Sequence, residues 1–144
     1  MSKRIYLLNG PNLNLLGQRQ TETYGYETLD DVTQNCEKIA GLHGMTVKSF
    51  QSNSEGQLID WIHEARHNAD AIIINPGAYS HTSIALLDAL NAFDGIIIEV
   101  HISNIHKREE FRHHSFISLR SDGVILGLGT HGYGIAVEAV HKLL

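Results

Sequence analysis

Cysteine and proline are scarce in this sequence: its 144 residues include one cysteine, Cys36, and two prolines. One cysteine cannot form a disulfide within the chain, which excludes the small disulfide-stapled secreted domains and favours a reducing cytosol. No apolar run approaches the ~20 residues that a membrane helix needs. The first run, residues 5–8, is too short for a signal peptide. We therefore expect a cytoplasmic protein with no membrane partner.

Positive charge is also scarce, because 11 lysines and arginines stand against 16 acidic residues, for a net charge of −5. Nucleic-acid-binding proteins cluster basic residues on one face, and no basic run occurs here, so no nucleic-acid partner is expected. Hydrophobic residues make up 42% and charged residues 19%, as in ordinary globular proteins. No repeat or linker interrupts the chain, and its length suits one catalytic domain spanning residues 1–144.

Short runs rich in isoleucine and valine alternate with longer segments of helical periodicity. The runs cover residues 5–8, 46–50, 71–74, 95–100 and 123–128. A first helix is predicted between a capping box at Thr28 and Asp31 and a stop at Gly44. Further helices are predicted at 57–68, 82–93 and 134–144, with a short turn at 107–113. This alternation predicts an α/β fold, a flavodoxin-like doubly wound sheet of five parallel strands with helices on both faces.

Polar residues follow three of the predicted strands, in the segments 9–14, 75–81 and 101–104. In doubly wound sheets, ligands bind beyond the carboxyl ends of the strands, near the point where the strand order reverses. With the strand order 2-1-3-4-5, these three segments converge. The topology and the composition together predict a functional site at this edge of the sheet.

The segment 63–67 matches the metalloprotease pattern of two histidines one helical turn apart with a glutamate between them. Leu58, Ile62 and Ala65 share one face of the predicted helix, whereas His63 and His67 point away from it. We therefore interpret this segment as a solvated helix face and predict no metal site.

The glycines of segment 127–132 match part of the dinucleotide-binding fingerprint, after a strand and before a helix. The acidic residue expected ~20 residues further on has no place, since the sequence ends at Leu144. A tight strand-to-helix turn is the simpler interpretation. A phosphate- or nucleotide-binding module using this turn remains the alternative from another functional class.

Three longer blocks occur at the predicted strand ends. They are residues 8–17 continuing through Arg19 to Tyr24, residues 75–83 with Asp88 following, and residues 99–104 followed by Arg108 and Arg112. Their order and spacing resemble the type II 3-dehydroquinate dehydratase family across essentially the whole chain. The resemblance implies a hydro-lyase without metal or cofactor. Its substrate would be 3-dehydroquinate, dehydrated to 3-dehydroshikimate by anti elimination through an enolate.

The resemblance also assigns the first half of this reaction. Tyr24 matches the base that removes the proton next to the ketone. A phenol has a reference pKa near ~10, and a neighbouring cation such as Arg19 favours its ionised form. Arg19 also matches the family's transition-state stabiliser. Asn12 matches the residue that helps to hold a water against the enolate oxygen.

For the second half of the reaction, His101 matches the general acid, and Glu99 lies two residues earlier on the same side of the strand to orient it. The substrate-binding positions of the family match Asn75, His81, Asp88, Ile102, Ser103 and Arg112. Asp88 in this family reaches the site of a neighbouring subunit. The resemblance therefore implies a homo-oligomer, typically a dodecamer built from trimers.

Each of these residues also has an ordinary structural role. Taken alone, Tyr24 is a surface aromatic, His101 satisfies a backbone carbonyl, and the asparagines near Gly10 form turns. Their occurrence together at converging strand ends favours the functional interpretation. Another hydroxyketone acid remains open as the substrate. A biosynthetic role in the shikimate pathway and a catabolic role in quinate breakdown also remain open.

One departure from the family pattern lies between Arg19 and Tyr24, where Gln20 and Thr21 replace the usual Glu-Pro. Without the proline, the backbone has more freedom. We predict that the loop 17–25 is a lid that stays more mobile than in other family members until substrate binds. Well-ordered, low-mobility density for this loop in a ligand-free crystal would contradict the prediction.

Overall fold

Five parallel strands form one sheet in the computed structural model, which describes residues 2–144. The strands are β1 (Arg4–Asn9), β2 (Thr46–Gln51), β3 (Ala71–Asn75), β4 (Ile96–His101) and β5 (Gly123–Leu126). Their order in the sheet is β2-β1-β3-β4-β5. The predicted α/β fold class and the flavodoxin-like strand order are confirmed.

The helices are α1 (Thr21–Tyr24), α2 (Leu29–Leu42), α3 (Glu55–Asn68), α4 (Ile84–Asn91) and α5 (His131–Leu143). The predicted capping box of α2 is present, since Thr28 and Asp31 bond each other's backbone N–H groups. Gly44 takes a left-handed φ of 71° just beyond the end of this helix, as a C-terminal stop requires. In residues 2–144, no helix combines the length and the apolar character of a membrane span.

Several element ends differ from the prediction by a few residues. Helices α3 and α4 are capped by Ser54 and Ser83, whose hydroxyl groups accept from backbone N–H groups of the first turn. Strand β5 ends earlier than expected because Gly127 takes a φ of 84°. The predicted turn at 107–113 is two short 3-10 turns, Ile105–Lys107 and Glu110–Arg112.

The two faces of the sheet pack against separate apolar layers. Ile73 and Val100 face one layer together with side chains of α2 and α5, whereas Ile72 and Ile97 face the other with side chains of α3 and α4. Cys36 belongs to the first layer and is fully buried. Burial raises the pKa of the Cys36 thiol to about 12. This side chain is therefore a core residue, not a reactive thiol.

The strand register brings the polar loops together. Asn9 at the end of β1 pairs with Asn75 at the end of β3, and the backbone N–H of Gly10 donates to the Asn75 carbonyl over 2.8 Å. A Cβ on Gly10 would lie 2.5 Å from the carbonyl oxygen of Pro76. Only glycine permits this approach between the two loops.

We predict that Gly10→Ala lowers the free energy of unfolding by about 1–3 kcal/mol, the usual cost of overpacking. The added methyl group meets backbone atoms of Pro76, which cannot move aside as a side chain would. Urea unfolding monitored by circular dichroism measures the change. Gly41→Ala is the control, because its Cβ enters open space on α2 and should raise stability slightly. Equal stabilities for the two variants would contradict the prediction.

Candidate active site

A cleft of about 180 Å³ lies at the carboxyl edge of the sheet, where β1, β3 and β4 end. Nine of the eleven predicted site residues line it: Asn12, Arg19, Tyr24, Asn75, His81, His101, Ile102, Ser103 and Arg112. Glu99 lies behind the cleft, in contact with His101. Asp88 is exposed on α4, outside the cleft of its own chain.

The cleft is positively charged although the whole chain carries −5. Three guanidinium groups line it, those of Arg19, Arg108 and Arg112. Among residues 2–144, no carboxylate side chain is part of the lining. Such a cleft concentrates positive potential locally and suits a small anionic ligand.

Tyr24 is placed between two arginines. Arg108 Nη1 donates to the Tyr24 hydroxyl oxygen over 3.0 Å, and the Arg19 guanidinium lies 5.0 Å from the centre of the Tyr24 ring. Arg108 also donates to Ser103 Oγ over 3.2 Å, which ties Tyr24 to the loop after β4. Two neighbouring cations, one of them hydrogen-bonded to the oxygen, therefore hold the phenol group in place.

His101 and Glu99 form a buried pair at the end of β4. His101 is 5% exposed and Glu99 is fully buried, and His101 Nε2 contacts Glu99 Oε2. Burial alone would raise the pKa of Glu99, but the hydrogen bond and charge of His101 and the hydroxyl groups of Ser118 and Ser115 together lower it. The carboxylate therefore stays ionised and orients the imidazole.

Three polar contacts of the site were missed by the sequence analysis. Arg108 was noted only as part of a matching block, and Ser115 and Ser118 were not considered, although both hydroxyl groups donate to Glu99. The only sequence signal for these two serines is their spacing of three residues, which puts both on one side of a helical turn. That spacing alone does not indicate what they face.

Asn75 is held by a buried network under the cleft. Asn75 Nδ2 donates to the Tyr133 hydroxyl over 2.8 Å, and that hydroxyl donates to Asn9 Oδ1 over 2.7 Å. Asn75 Oδ1 accepts from the backbone N–H of Gly77 over 3.1 Å. Burial raises the pKa of Tyr133, so this hydroxyl keeps its proton, donates it to Asn9 and accepts from the Asn75 amide, whose orientation it sets.

His81 presents one ring nitrogen to the cleft. Its Nδ1 lies 2.8 Å from the carbonyl oxygen of His114, to which it can only donate. Burial lowers the pKa of His81, the bond to His114 opposes this effect, and the nearby charges of His101, Arg112 and Arg108 reinforce it. His81 is therefore neutral at neutral pH, and Nε2, which lies 3.4 Å from Ser80 Oγ, is the nitrogen that can accept a hydrogen bond from a ligand hydroxyl.

The loops on either side of the cleft are fixed by backbone contacts. Asn12 takes a left-handed φ of 70°, and its N–H donates to Asn53 Oδ1 over 2.9 Å. The carbonyl of Ile102 accepts from the N–H of Gly129 over 3.0 Å. Arg112 Nε donates to Glu109 over 3.2 Å, which orients its guanidinium group.

The histidines of segment 63–67 lie where the helical wheel predicts. His63 and His67 are exposed on α3, whereas Ala65 between them is fully buried. Within residues 2–144, no three histidine, cysteine or acidic side chains are grouped closely enough to hold a metal ion.

The glycine-rich turn after β5 connects this strand to α5. Gly127 and Gly129 both take positive φ values, of 84° and 62°, as a tight turn requires. The Thr130 hydroxyl at the start of α5 donates to Glu27 Oε1 over 2.5 Å. A carboxylate beside this helix terminus repels phosphate, which argues against the nucleotide-binding alternative.

A buried acid–base pair and a phenol held by cations, all at the switch point of a doubly wound sheet, are the features of an α/β enzyme that moves protons with side chains. The family model described as "Dehydroquinase class II" matches residues 3–141, and the chain belongs to this family. The predicted family and the predicted class of dehydroquinate-dehydrating enzyme are therefore confirmed.

Individual relatives agree over nearly the full length. The chain is 61% identical to a 3-dehydroquinate dehydratase of Cereibacter sphaeroides, over 99% of this chain and 97% of that protein. It is 55% identical to a catabolic 3-dehydroquinase of Penicillium rubens, over 97% and 90%. The crystal structure of a type II dehydroquinase from Propionibacterium acnes superposes with a TM-score of 0.94 at 44% identity, covering 99% of this chain and 98% of that one.

We predict that Glu99→Gln makes thermal stability less sensitive to acid. Because the pKa of Glu99 is lower in the folded chain than its ordinary value of 4.5, the unfolded chain binds this proton more readily. The contribution of ionised Glu99 to the free energy of unfolding is therefore present above pH 4.5, and it is lost as the pH falls toward the pKa of Glu99 in the folded chain.

The test compares the melting temperatures of wild type and Glu99→Gln from about pH 6 to about pH 3. The decline should be shallower for Glu99→Gln. Glu37→Gln, on the exposed side of α2, should keep the wild-type slope. Identical slopes for wild type and Glu99→Gln would show that the buried carboxylate does not contribute in this way.

Proposed function

We propose that the cleft is the active site in which this chain dehydrates 3-dehydroquinate to 3-dehydroshikimate, by anti elimination through an enolate. The observation that carries the proposal is the presence in one positive cleft of a phenol bonded to Arg108 and an imidazole backed by a buried carboxylate. The first is a candidate base and the second a candidate acid, which are the two groups that a dehydration requires.

The first step removes the proton next to the ketone. Tyr24, as phenolate, takes this proton, and the charges of Arg108 and Arg19 stabilise the phenolate before the step. Negative charge then develops on the ketone oxygen. Asn12 lines the cleft on a loop fixed through Asn53, which supports its role in holding a water against that oxygen. A preorganised donor at this point lowers the barrier.

The second step expels the hydroxyl group as water. His101 uses Nε2 for its contact with Glu99, so Nδ1 is the nitrogen left to give a proton to the departing hydroxyl. The Glu99 carboxylate stabilises the imidazolium before the transfer. The enolate then collapses to the conjugated ketone as the carbon–oxygen bond breaks.

The remaining residues of the cleft bind the substrate. Arg112 supplies a positive charge for the substrate carboxylate, with its guanidinium oriented by Glu109. Asn75 and His81 are held by their own hydrogen bonds in fixed orientations and contact the hydroxyl groups. Ser103 Oγ and the backbone of Ile102 complete this set at the end of β4. Every proposed step uses side chains of the chain itself.

The proposed enzyme is a homo-oligomer. Asp88 is exposed on α4, and the apolar side chain of Ile84, one turn earlier, is 56% exposed. Phe111 and Leu119 are also exposed, by 66% and 72%. A neighbouring subunit covers apolar side chains of this kind, and Asp88 then reaches that subunit's cleft. The proposed assembly is a dodecamer of trimers located in the cytoplasm.

We predict that Tyr24→Phe lowers kcat by about 10²–10⁴-fold, the usual contribution of a general base, because it removes the hydroxyl that takes the proton. The assay mixes chelator-treated protein with 3-dehydroquinate and follows the ultraviolet absorbance of the conjugated product. Wild-type protein should turn over at a rate that the chelator does not change.

Tyr26→Phe is the matched control. Tyr26 lies two residues further on and is 81% exposed, so its variant should retain wild-type activity. Near-normal turnover by Tyr24→Phe would remove Tyr24 from the mechanism. No turnover by folded wild-type protein would mean either that the loop with Gln20 and Thr21 impairs catalysis or that another hydroxyketone acid is the substrate, and a ligand-stabilisation screen would follow.

A further inference from the structure

Apart from His101, the side chains that donate to the Glu99 carboxylate are hydroxyl groups, not arginines or lysines. Oε2 contacts His101 Nε2 and accepts from Ser115 Oγ over 2.7 Å, and Oε1 accepts from Ser118 Oγ over 2.6 Å. In the described chain, residues 2–144, neither arginine nor lysine forms an ion pair with Glu99. The single charged partner of this buried carboxylate is therefore His101.

Ser121 resembles the other two serines but is not equivalent to them. Its Oγ lies 3.5 Å from Glu99 Oε1 and only 2.9 Å from the carbonyl oxygen of Ile117. A hydroxyl group has one proton to donate, and the carbonyl is the nearer acceptor. Ser121 therefore sits beside Glu99 without contributing a strong hydrogen bond to it.

The segment that carries these serines is fixed to the cleft. His81 Nδ1 donates to the carbonyl of His114, and the N–H of Phe116 donates to the carbonyl of Ser80 over 2.8 Å. Ile117 is fully buried in the layer of α3 and α4. These contacts hold Ser115 and Ser118 against Glu99 independently of any ligand.

We propose that Ser115 and Ser118 are positioning residues of the reaction, which act through Glu99 to hold the His101 general acid ready for proton transfer. This inference rests on the proposed function, in which His101 protonates the leaving hydroxyl. At the moment of transfer His101 becomes neutral, and Glu99 is left as a buried carboxylate without a cation. An isolated buried charge is strongly disfavoured, so the two hydroxyl groups carry its stabilisation until His101 regains a proton.

Few groups around the Glu99–His101 pair other than the serines could stabilise the Glu99 carboxylate. The strands on either side of β4 place Ile74 and Val124 next to Glu99, and neither titrates. The other titratable and charged groups that line the cleft with His101 are Arg19, Tyr24, His81, Arg108 and Arg112. None of them is hydrogen-bonded to Glu99, so a serine variant changes the surroundings of the carboxylate without removing a contact that these groups make with it.

Removing one hydroxyl should shift the pH dependence in one direction. The serines stabilise the state in which the Glu99–His101 pair has lost its proton and carries a net charge of −1. Without a serine, the pair holds the proton more tightly and is a weaker acid. The basic limb of the kcat–pH profile should therefore move to higher pH, because that limb reports loss of the proton from the acid.

The experiment compares Ser118→Ala, Ser115→Ala and Ser121→Ala. Ser118→Ala should lower kcat about tenfold, a fraction of the effect of losing a general acid, and should leave KM nearly unchanged because Ser118 does not line the cleft. Ser118→Thr, which restores a hydroxyl, should recover most of kcat. Ser121→Ala should behave as wild type. Ser118 is an exposed residue, so its variant provides the test even if Ser115→Ala fails to fold.

A second measurement does not depend on turnover. The titration observed by NMR at the His101 ring of the ligand-free enzyme should have a higher midpoint in Ser118→Ala than in wild type or Ser121→Ala. Equal midpoints and equal basic limbs for Ser118→Ala and Ser121→Ala would overturn the inference. Full activity of His101→Asn would instead overturn the proposed role of His101, and the NMR midpoints would still show whether the serines act on the pair.

Discussion

The site depends on a carboxylate that is buried at the end of a parallel strand. Glu99 is fully buried on β4, where strand neighbours on both sides are apolar. Taking a charge out of water is costly unless donors surround it. The segment after β4 returns to provide those donors and is held in place by His81 and Ser80. The geometry of the acid, the binding position of His81 and the wall of the cleft are thus parts of one arrangement that stabilises the charge of Glu99.

The other half of the cleft depends on a close approach of two loops. Gly10 contacts Pro76 so closely that no side chain fits between them, and the strand register places Asn9 beside Asn75. Tyr133 on α5 joins the two asparagines from below. Its hydroxyl accepts from Asn75 and donates to Asn9, so it links α5 to the ends of β3 and β1. The parallel sheet therefore determines the separation between the loop of Asn12 and the loop of Asn75 before any ligand binds.

Local signals in the sequence predicted most of the fold. Continuous apolar runs indicated the strands, and Thr28 with Asp31 indicated the start of α2, because both signals depend on neighbouring residues. The polar blocks predicted the edge of the sheet at which the cleft lies, and the family resemblance selected eleven residues, nine of which line the cleft. The contacts that escaped prediction join distant residues: Arg108 and Tyr24 are 84 positions apart, and Asn9 and Tyr133 are 124 apart. No periodicity encodes such pairs, since only the packed tertiary structure brings them together.

The three arginines of the cleft differ in how many acidic neighbours they have. This difference bears on the replacement of Glu-Pro by Gln20 and Thr21. Arg112 and Arg108 both lie near the acidic Glu109, with Nε to Oε1 distances of 3.2 Å and 4.0 Å, and Arg108 also bonds the neutral oxygens of Tyr24 and Ser103. Arg19 Nη1 donates to Gln20 Oε1 over 3.0 Å, again a neutral acceptor. A glutamate at position 20 would offset part of the Arg19 charge, but glutamine orients the guanidinium without neutralising it. Arg19 thus keeps its charge uncompensated beside the Tyr24 ring, so this departure from the family pattern leaves more positive charge next to the base.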